Sequence, residues 1–298
     1  MKTPLDALID ETRELARRAL ALVPAPAAVD WDASAAAVWH AGRWGTGFAA
    51  HDALDDIALD DLLWIDDQKR QIDTNTRQFL AGLPANNVLL WGARGTGKSS
   101  LIHALLNRYR DRGLRLVEVN KHRLASLPEI VHRLADEPYR FLLFCDDLSF
   151  EAEDASYKAL KSALEGSVFK ASGNVLIYAT SNRRHLLPEY ATDNEGVVVR
   201  EGELHESEAV EEKISLSDRF GLWLSFHPFR QNAYLEVVAH WVGRLAREHQ
   251  LDVAWSDELR AAALRWALAR GVRSGRTAQH FARHWVGSTL LELRGGDG

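Results

Sequence analysis

The stretch NVLLWGARGTGKSS, residues 87–100, decides the fold of this 298-residue chain. Five residues with strand character, Asn87–Trp91, lead into a glycine-rich loop, and a stretch of helical length, SSLIHALLNRYRDRG, follows it. The loop matches G-x-x-x-x-G-K-[ST], a phosphate-binding pattern that requires a strand before it and a helix after it. A glycine-rich turn is the alternative, but average residue frequencies produce this pattern in roughly one chain in a hundred of this length.

The chemistry of this loop, a Walker A sequence, indicates that it binds ATP with Mg²⁺. Glycines let the backbone turn so that successive N–H groups face one cluster of phosphate oxygens, and the following helix adds partial positive charge at its N-terminus. Lys98 would neutralise β- and γ-phosphate oxygens, and the Ser99 hydroxyl would bind Mg²⁺. The predicted ATP-binding residues of the loop are Gly92, Ala93, Arg94, Gly95, Thr96, Gly97, Lys98, Ser99 and Ser100.

Short apolar runs alternate with stretches of helical length between residues 85 and 230. Near-continuous apolar strands separated by helices indicate a parallel sheet that is covered on both faces, so we expect an α/β fold with a five-stranded αβα core over residues 61–230. The strand candidates are Asn87–Trp91, Leu114–Val119, Phe141–Cys145, Asn174–Thr180 and Leu222–Phe226.

The segments before and after this core are both predicted to be helical. Residues 1–80 show helical spacing, and we expect an N-terminal helical extension over residues 1–60, with LDDLLWIDDQKRQIDTNTRQFLAGLPA as a helix that leads into the core. Residues 231–298 are predicted to form a helical lid. Its helices are predicted at residues 231–250, 256–269 and 277–293, with Ser256 as the N-cap of the second helix and Gly271 after its end.

Two adjacent carboxylates end the apolar run of FLLFCDDLSF, residues 141–150. Ligands of open α/β sheets bind at the carboxyl ends of the strands, so Asp146 is placed to hold the Mg²⁺ that Ser99 also contacts. The alternative is an aspartate that caps a helix. Asp147 would orient or deprotonate the attacking water, and its alternative is a cap or an ion pair.

Together these motifs resemble those of the AAA+ ATPases, over about residues 60–293. That family pairs the Walker A loop with a strand that ends in Asp-Glu, whereas Asp146 and Asp147 form an Asp-Asp pair, as in some initiator and helicase-loader members. The shorter second side chain predicts slow turnover. The whole pattern closely resembles a bacterial AAA+ group that is catalogued only as a domain of unknown function.

The resemblance implies three further catalytic residues. Asn182, in NVLIYATSN, resembles sensor 1, which positions the water or the γ-phosphate; an ordinary turn is the alternative. Arg219, in SLSDRFGLW, matches the arginine finger that reaches a neighbouring subunit's ATP site, with a local ion pair to Asp218 as the alternative. Arg276, in RSGRTAQHFARHW, resembles the sensor 2 of the lid, and Arg273 competes for that role.

The segment LDDLLWIDDQK resembles the family segment that helps to form the adenine pocket. Many members have glycine where this chain has Trp64, which would fill that pocket or stack on the base. Leu63 and Ile65 are therefore candidate base contacts.

Composition limits the partners and the compartment. The net charge of −6 disfavours nucleic acid, and no apolar run reaches the roughly 18 residues of a membrane span, so we expect no membrane contact. Cys145 is the single cysteine, which excludes an internal disulfide and favours a cytoplasmic location. Residues 189–213 contain nine acidic residues and are expected to form a long insertion.

The sequence thus predicts an ATPase that drives or switches a conformational change in an unidentified protein client, as a homo-oligomer in which Arg219 acts in trans. A DNA-linked switch of the loader or initiator type is an alternative, favoured by the Asp-Asp pair and the arginine-rich lid. A P-loop kinase for a small molecule and a nucleotide-binding scaffold with negligible turnover are the others.

Overall fold

The computed structural model describes residues 29–42, 45–51, 55–150, 155–165, 173–184, 186, 198–200, 203–205 and 218–295. Its nine strands are β1 (Ala36–Gly42), β2 (Gly45–Ala50), β3 (Val88–Gly92), β4 (Leu114–Glu118), β5 (Arg140–Cys145), β6 (Val175–Ser181), β7 (Val198–Arg200), β8 (Glu203–His205) and β9 (Leu222–Phe226). The α-helices are α1 (Asp66–Leu80), α2 (Lys98–Tyr109), α3 (Leu127–Leu134), α4 (Ala155–Glu165), α5 (Gln231–Glu248), α6 (Asp257–Ala269) and α7 (Gly275–Gly295).

Seven strands form one sheet in the order β2-β1-β4-β5-β6-β3-β9. All five strands predicted from the sequence are present, and they pair in parallel, so the predicted α/β core is confirmed. Because parallel strands end at the same edge, the carboxyl ends of β3, β5, β6 and β9 meet at one side of the sheet. The phosphate loop, the Asp146–Asp147 pair and Asn182 all follow strands at that edge.

The helices cover both faces of the sheet. One buried cluster joins α1 and α2 to the lid helices α5, α6 and α7, and a second packs α3 and α4 on the other face. The predicted cap of α6 is confirmed, since the Ser256 hydroxyl oxygen accepts from the Leu259 N–H at 3.2 Å. Among the described residues, no helix combines the length and the apolar character needed to cross a bilayer.

The prediction of an N-terminal helical extension over residues 1–60 is wrong at residues 36–42 and 45–50, where the structure has strands. Strands β1 and β2 form an antiparallel hairpin, and β1 joins the sheet in parallel beside β4. Trp39 and Phe48 face each other across the hairpin with ring centroids 5.0 Å apart. Such cross-strand aromatic pairs stabilise a hairpin, and this pairing overrides local helix propensity, which tertiary contacts commonly outweigh. The helix predicted near the N-terminus lies outside the described residues.

The single helix predicted before the phosphate loop is also interrupted. A 3₁₀ turn at Leu59–Asp61 precedes α1, and Trp64 between them has a φ of 66°, which ends any continuous helix. Most of the acidic segment 189–213 lies outside the described residues; β7 and β8, which pair with each other antiparallel, are the parts that are described.

A network of polar side chains joins α1 to β6 and to the turn that leads into β3. The side chain of Asn75 donates to the Asn86 carbonyl at 2.9 Å and accepts from the Asn86 N–H at 2.9 Å, so it holds the turn that enters β3. It also donates to the Tyr178 hydroxyl on β6 at 3.1 Å, and that hydroxyl contacts Thr76 at 2.9 Å. Both Asn75 and Tyr178 are buried, so water cannot replace the bond between them.

We expect Asn75→Ala to lower the free energy of unfolding by about 2–4 kcal/mol, because it removes the two bonds that hold the Asn86 backbone and leaves the buried Tyr178 hydroxyl without one of its partners. Denaturant unfolding measures this. Thr74→Ala, an exposed substitution on the same helix, is the control and should change stability by less than about 0.5 kcal/mol. Equal stability of the two variants would contradict the role given to Asn75.

Candidate nucleotide-binding site

The phosphate loop leaves the sheet at a position that only glycine can occupy. Gly92 has a φ of 127°, and a Cβ atom there would lie 2.0 Å from the carbonyl oxygen of Phe226 on β9. The next residue, Ala93, donates its N–H to that same carbonyl at 3.0 Å. Gly97, with a φ of 100°, is the N-cap of α2, so the loop ends where the N–H groups of the helix point outward.

Lys98 folds back over this loop. Its side-chain nitrogen Nζ donates to the carbonyls of Gly92 and Ala93, both at 2.8 Å, and to the Asn182 amide oxygen at 3.3 Å. The residue is 7% exposed, and burial lowers the pKa of its ammonium to about 8, although the nearby carboxylates of Asp146 and Asp147 oppose the shift. Below that pH the ammonium is charged, and it can form charge-assisted hydrogen bonds with phosphate oxygens.

Asp146 lies at the end of β5 beside two hydroxyl groups. Its Oδ1 accepts from Ser99 Oγ at 2.7 Å and from Thr180 Oγ1 at 2.5 Å. A carboxylate and a serine hydroxyl at this distance are hard oxygen ligands, which suit Mg²⁺. The residues present therefore fit the predicted metal, with Ser99 and Asp146 as the side chains that would hold it.

Asp147 has a different backbone and different neighbours. Its φ of 50° is in the left-handed region, which turns its side chain away from that of Asp146, and its N–H donates to Thr180 Oγ1 at 2.9 Å. The carboxylate accepts from the side-chain amide of Asn182, and its second oxygen lies 4.0 Å from the Arg94 guanidinium. Two neighbouring carboxylates thus face two separate sets of groups.

A cavity of about 720 Å³ joins these residues. Its polar lining comes from residues 94–100 of the loop and from Asp146, Asp147, Thr180 and Asn182. Its apolar lining comes from the segment before α1 and from α5, and includes Leu62, Leu63, Ile65, Val237, Trp241 and Leu245. The structure therefore brings the predicted candidates Leu63 and Ile65 to the cavity. Trp64 is 53% exposed, with its Nε1 3.1 Å from a carboxylate oxygen of Glu236, and is not among the described lining residues.

The lid contacts the phosphate loop directly. The Arg276 N–H donates to the Gly95 carbonyl at 3.1 Å, and a Cβ on Gly95 would lie 2.8 Å from Ser274 Oγ. Arg276 lines the cavity, whereas Arg273 is not among its described lining residues, so the geometry favours Arg276 as the lid arginine.

Gln279 and Arg283 follow Arg276 at helical spacing on α7 and also line the cavity. Sequence reasoning missed them, although that spacing was the available signal.

A second missed feature ties the lid to the segment before α1. Asp61 is 8% exposed; one of its oxygens lies 2.9 Å from His240 Nε2, and the other accepts from the Arg244 guanidinium. Arg244 also donates to the Asp56 carbonyl at 2.7 Å and to Glu248 at 3.0 Å. The polar positions 236, 240, 244 and 248 recur every four residues along α5, which marks a polar face of that helix but does not identify Asp61 as its partner.

Arg219 lies apart from these residues. It precedes β9, where Leu222 pairs with Val88 at the start of β3, whereas the phosphate loop follows the far end of β3. A five-residue strand spans roughly 16 Å, so Arg219 is at the opposite edge of the sheet from the loop of its own chain. It is not among the described residues that line the cavity.

The central parallel sheet, the phosphate loop after β3 and the helical lid over that loop define an AAA+ P-loop ATPase fold, as the sequence predicted. A RuvB structure from Thermotoga maritima matches with a TM-score of 0.53 at 17% identity, over 81% of this chain and 67% of that one. An Aeropyrum pernix Orc1 structure in complex with DNA matches with a TM-score of 0.54 at 17% identity, over 82% of this chain and 63% of that one.

At these identities the two likenesses show the fold alone. No relative among curated proteins matches the sequence. The chain belongs to the family described as protein of unknown function (DUF815), whose model matches residues 32–289.

The pKa of Lys98 predicts how ATP affinity depends on pH. Since burial lowers this pKa to about 8, the free protein loses the ammonium charge as the pH rises through that value. ATP affinity should be constant below it and should fall above it by about tenfold per pH unit, because binding then takes up a proton. Calorimetric titration from about pH 7 to about pH 9.5 measures this.

Lys98→Arg is the matched control, since its guanidinium keeps its charge over the whole range. This variant should bind ATP more weakly but with an affinity that does not change with pH. An affinity of the unaltered protein that is equally flat would contradict the lowered pKa of Lys98 on which this prediction rests.

Substitution of Asp146 and substitution of Asp147 should have different effects on ATP binding and turnover. Asp146→Ala should weaken Mg²⁺-dependent ATP binding by roughly 10- to 100-fold, because it removes the carboxylate beside Ser99. Asp147→Asn should keep that binding and lose turnover by about 10²–10⁴-fold, because the amide cannot accept a proton. Binding isotherms and steady-state phosphate release separate the two effects. Identical losses in both variants would show that the roles are wrongly divided.

Proposed function

We propose that this protein is an ATPase that binds ATP with Mg²⁺, hydrolyses it to ADP and phosphate, and uses the cycle to drive or switch a conformational change in a protein partner. The proposal rests on one observation: a single cavity is lined by Lys98, Asp146, Asp147 and Asn182. The lid residue Arg276 lines the same cavity. These groups come from separate segments of the chain, and a phosphate-binding loop alone would not require them together.

The loop and the lid would bind the nucleotide from two sides. Backbone N–H groups of residues 95–100 and the N-terminus of α2 would surround the phosphates, and Lys98 would exchange its carbonyl contacts for phosphate oxygens. Leu63, Ile65 and the apolar residues of α5 would take the base. Arg276 would add a second cation from the lid side, and its backbone contact with Gly95 keeps that side chain next to the loop.

Hydrolysis would proceed by in-line attack of water on the γ-phosphorus. Asn182 and Asp147 would orient the water, and the Asp147 carboxylate would accept its proton as the new P–O bond forms and the bond to the β-phosphate oxygen breaks. Mg²⁺, held by Ser99 and Asp146, would neutralise charge on the phosphate oxygens. Asp147 must first exchange its present contact with Asn182 for the water, which is consistent with the slow turnover expected from the Asp-Asp pair.

Arg219 would complete the site of a neighbouring subunit. Its place at the opposite edge of the sheet excludes contact with the nucleotide of its own chain, so a role in phosphoryl transfer requires a second copy. A head-to-tail arrangement brings the edge that carries Arg219 against the edge that carries the cavity. A guanidinium suits this position, since it stays charged and contacts two phosphate oxygens at once. The cytoplasmic location stays a prediction from the single cysteine.

Product analysis tests the proposed reaction. ADP and inorganic phosphate should form in equal amounts from ATP and water alone, and Lys98→Ala should abolish both. Formation of ADP with a phosphorylated small molecule in place of free phosphate would identify a kinase instead.

Arg219→Ala tests the proposed assembly. This variant should bind ATP normally and hydrolyse it about 10³–10⁵-fold more slowly, as expected for an arginine finger. Turnover per subunit of the unaltered protein should rise with protein concentration. Mixing Arg219→Ala with Lys98→Ala subunits should restore part of the activity, because each supplies what the other lacks at a shared interface.

Arg112→Ala is the control, since Arg112 is an exposed arginine elsewhere on the chain and should leave turnover unchanged. Turnover that is independent of concentration, together with no complementation in the mixture, would leave Arg219 without a catalytic role.

A further inference from the structure

Three loop segments that meet beside the cavity carry arginines and no acids. They are residues 182–184 after β6, residues 227–230 after β9, and residues 270–274 between α6 and α7. They hold two, one and two arginines respectively and no aspartate or glutamate, in a chain whose net charge is −6. This local excess of positive charge therefore contrasts with the chain as a whole.

Direct contacts place the three loop segments next to one another. The Arg184 guanidinium lies 5.7 Å from the centre of the Trp91 ring, and the His227 ring lies 6.3 Å from the same centre. Trp91 thus connects the first loop to the second. The Phe229 N–H donates to the Arg273 carbonyl at 3.1 Å, which connects the second loop to the third.

Four arginines of these loops form what we call the arginine surface: Arg183, Arg184, Arg230 and Arg273. All four are exposed, and within the part of the chain that the structure describes none of them forms an ion pair. Arg270 is excluded because its guanidinium packs on the Trp266 ring of α6, 3.5 Å from the ring centre, and Arg276 on α7 is excluded because it lines the cavity. Like charges held close together repel, so binding of an anionic partner that neutralises them is favourable.

We propose that the arginine surface binds the phosphodiester backbone of a nucleic acid. The surface contains arginine and no lysine, and the planar guanidinium forms paired hydrogen bonds to phosphate. The partly exposed indole of Trp91 lies beneath Arg184, and a base or a sugar can pack against such a combination of ring and guanidinium. Phosphate contacts of this kind do not depend on base sequence.

Fluorescence anisotropy with labelled single- and double-stranded DNA of about 30 nucleotides tests the proposal. Four phosphate contacts predict a slope of log K against log salt of about −3.6 for the duplex and about −2.8 for the single strand. Affinity should then fall roughly 10²-fold between about 50 and about 200 mM salt. The variant Arg184→Glu/Arg230→Glu removes one arginine from each of two loops. It should bind at least ~10-fold more weakly and lower the salt slope by about 2.

Arg110→Glu/Arg112→Glu is the matched control, with the same charge change on two exposed arginines before β4, at the other edge of the sheet. It should bind DNA within about twofold of the unaltered protein. Both charge-reversal variants should keep normal ATP affinity, which shows that they are folded. Arg230→Gln, a milder change, should lower the salt slope by about 1. Lys98→Ala should bind DNA normally, so this test does not depend on ATP turnover.

Several results would overturn the proposal. They are a lack of saturable DNA binding at about 50 mM salt, an equal loss of affinity in the control, or displacement of the DNA by polyglutamate as readily as by unlabelled DNA. The polyglutamate result would assign the surface to an acidic protein. Unchanged DNA affinity with altered sedimentation of Arg184→Glu/Arg230→Glu would assign it to contacts between copies of the chain.

Discussion

The contact between the phosphate loop and the carbonyl of Phe226 is the constraint on which the site depends. Gly92 passes so close to β9 that any Cβ would meet that carbonyl, and Ala93 then bonds to it. The same β9 leads into residues 227–230, which bond to the lid at Arg273. One strand end therefore fixes both the start of the loop and the position of the lid, so the two sides of the cavity are set together.

The second constraint is the separation of the neighbouring Asp146 and Asp147 carboxylates, which have different hydrogen-bond partners. Thr180 lies between them, donating its hydroxyl to Asp146 and accepting the N–H of Asp147. The left-handed φ of Asp147 then directs the second carboxylate to Asn182. Two acids side by side would otherwise repel each other, and the nearby Lys98 ammonium reduces that repulsion. This arrangement gives the two carboxylates the separate positions that the proposed metal and water roles require.

Local patterns in the sequence were sufficient for the five parallel strands, the loop and the lid helices, because buried strands and amphipathic helices have distinctive periods. The hairpin of β1 and β2 was missed because its stability comes from pairing between Trp39 and Phe48 and with β4, which local propensity does not record. The Asp61–Arg244 contact joins residues 183 positions apart, and no local pattern predicts such a pair. The role of Arg219 concerns a second copy of the chain, so it stays a prediction.

A crystal structure of the protein with Mg²⁺ and a non-hydrolysable ATP analogue tests the central claim most directly. We expect the β- and γ-phosphates on the N–H groups of residues 95–100, Lys98 Nζ moved from the Gly92 and Ala93 carbonyls to phosphate oxygens, and Mg²⁺ beside Ser99 and Asp146. The analogue's base should lie against Leu63 and Ile65. A nucleotide bound outside this cavity, or a metal far from Asp146, would contradict the account.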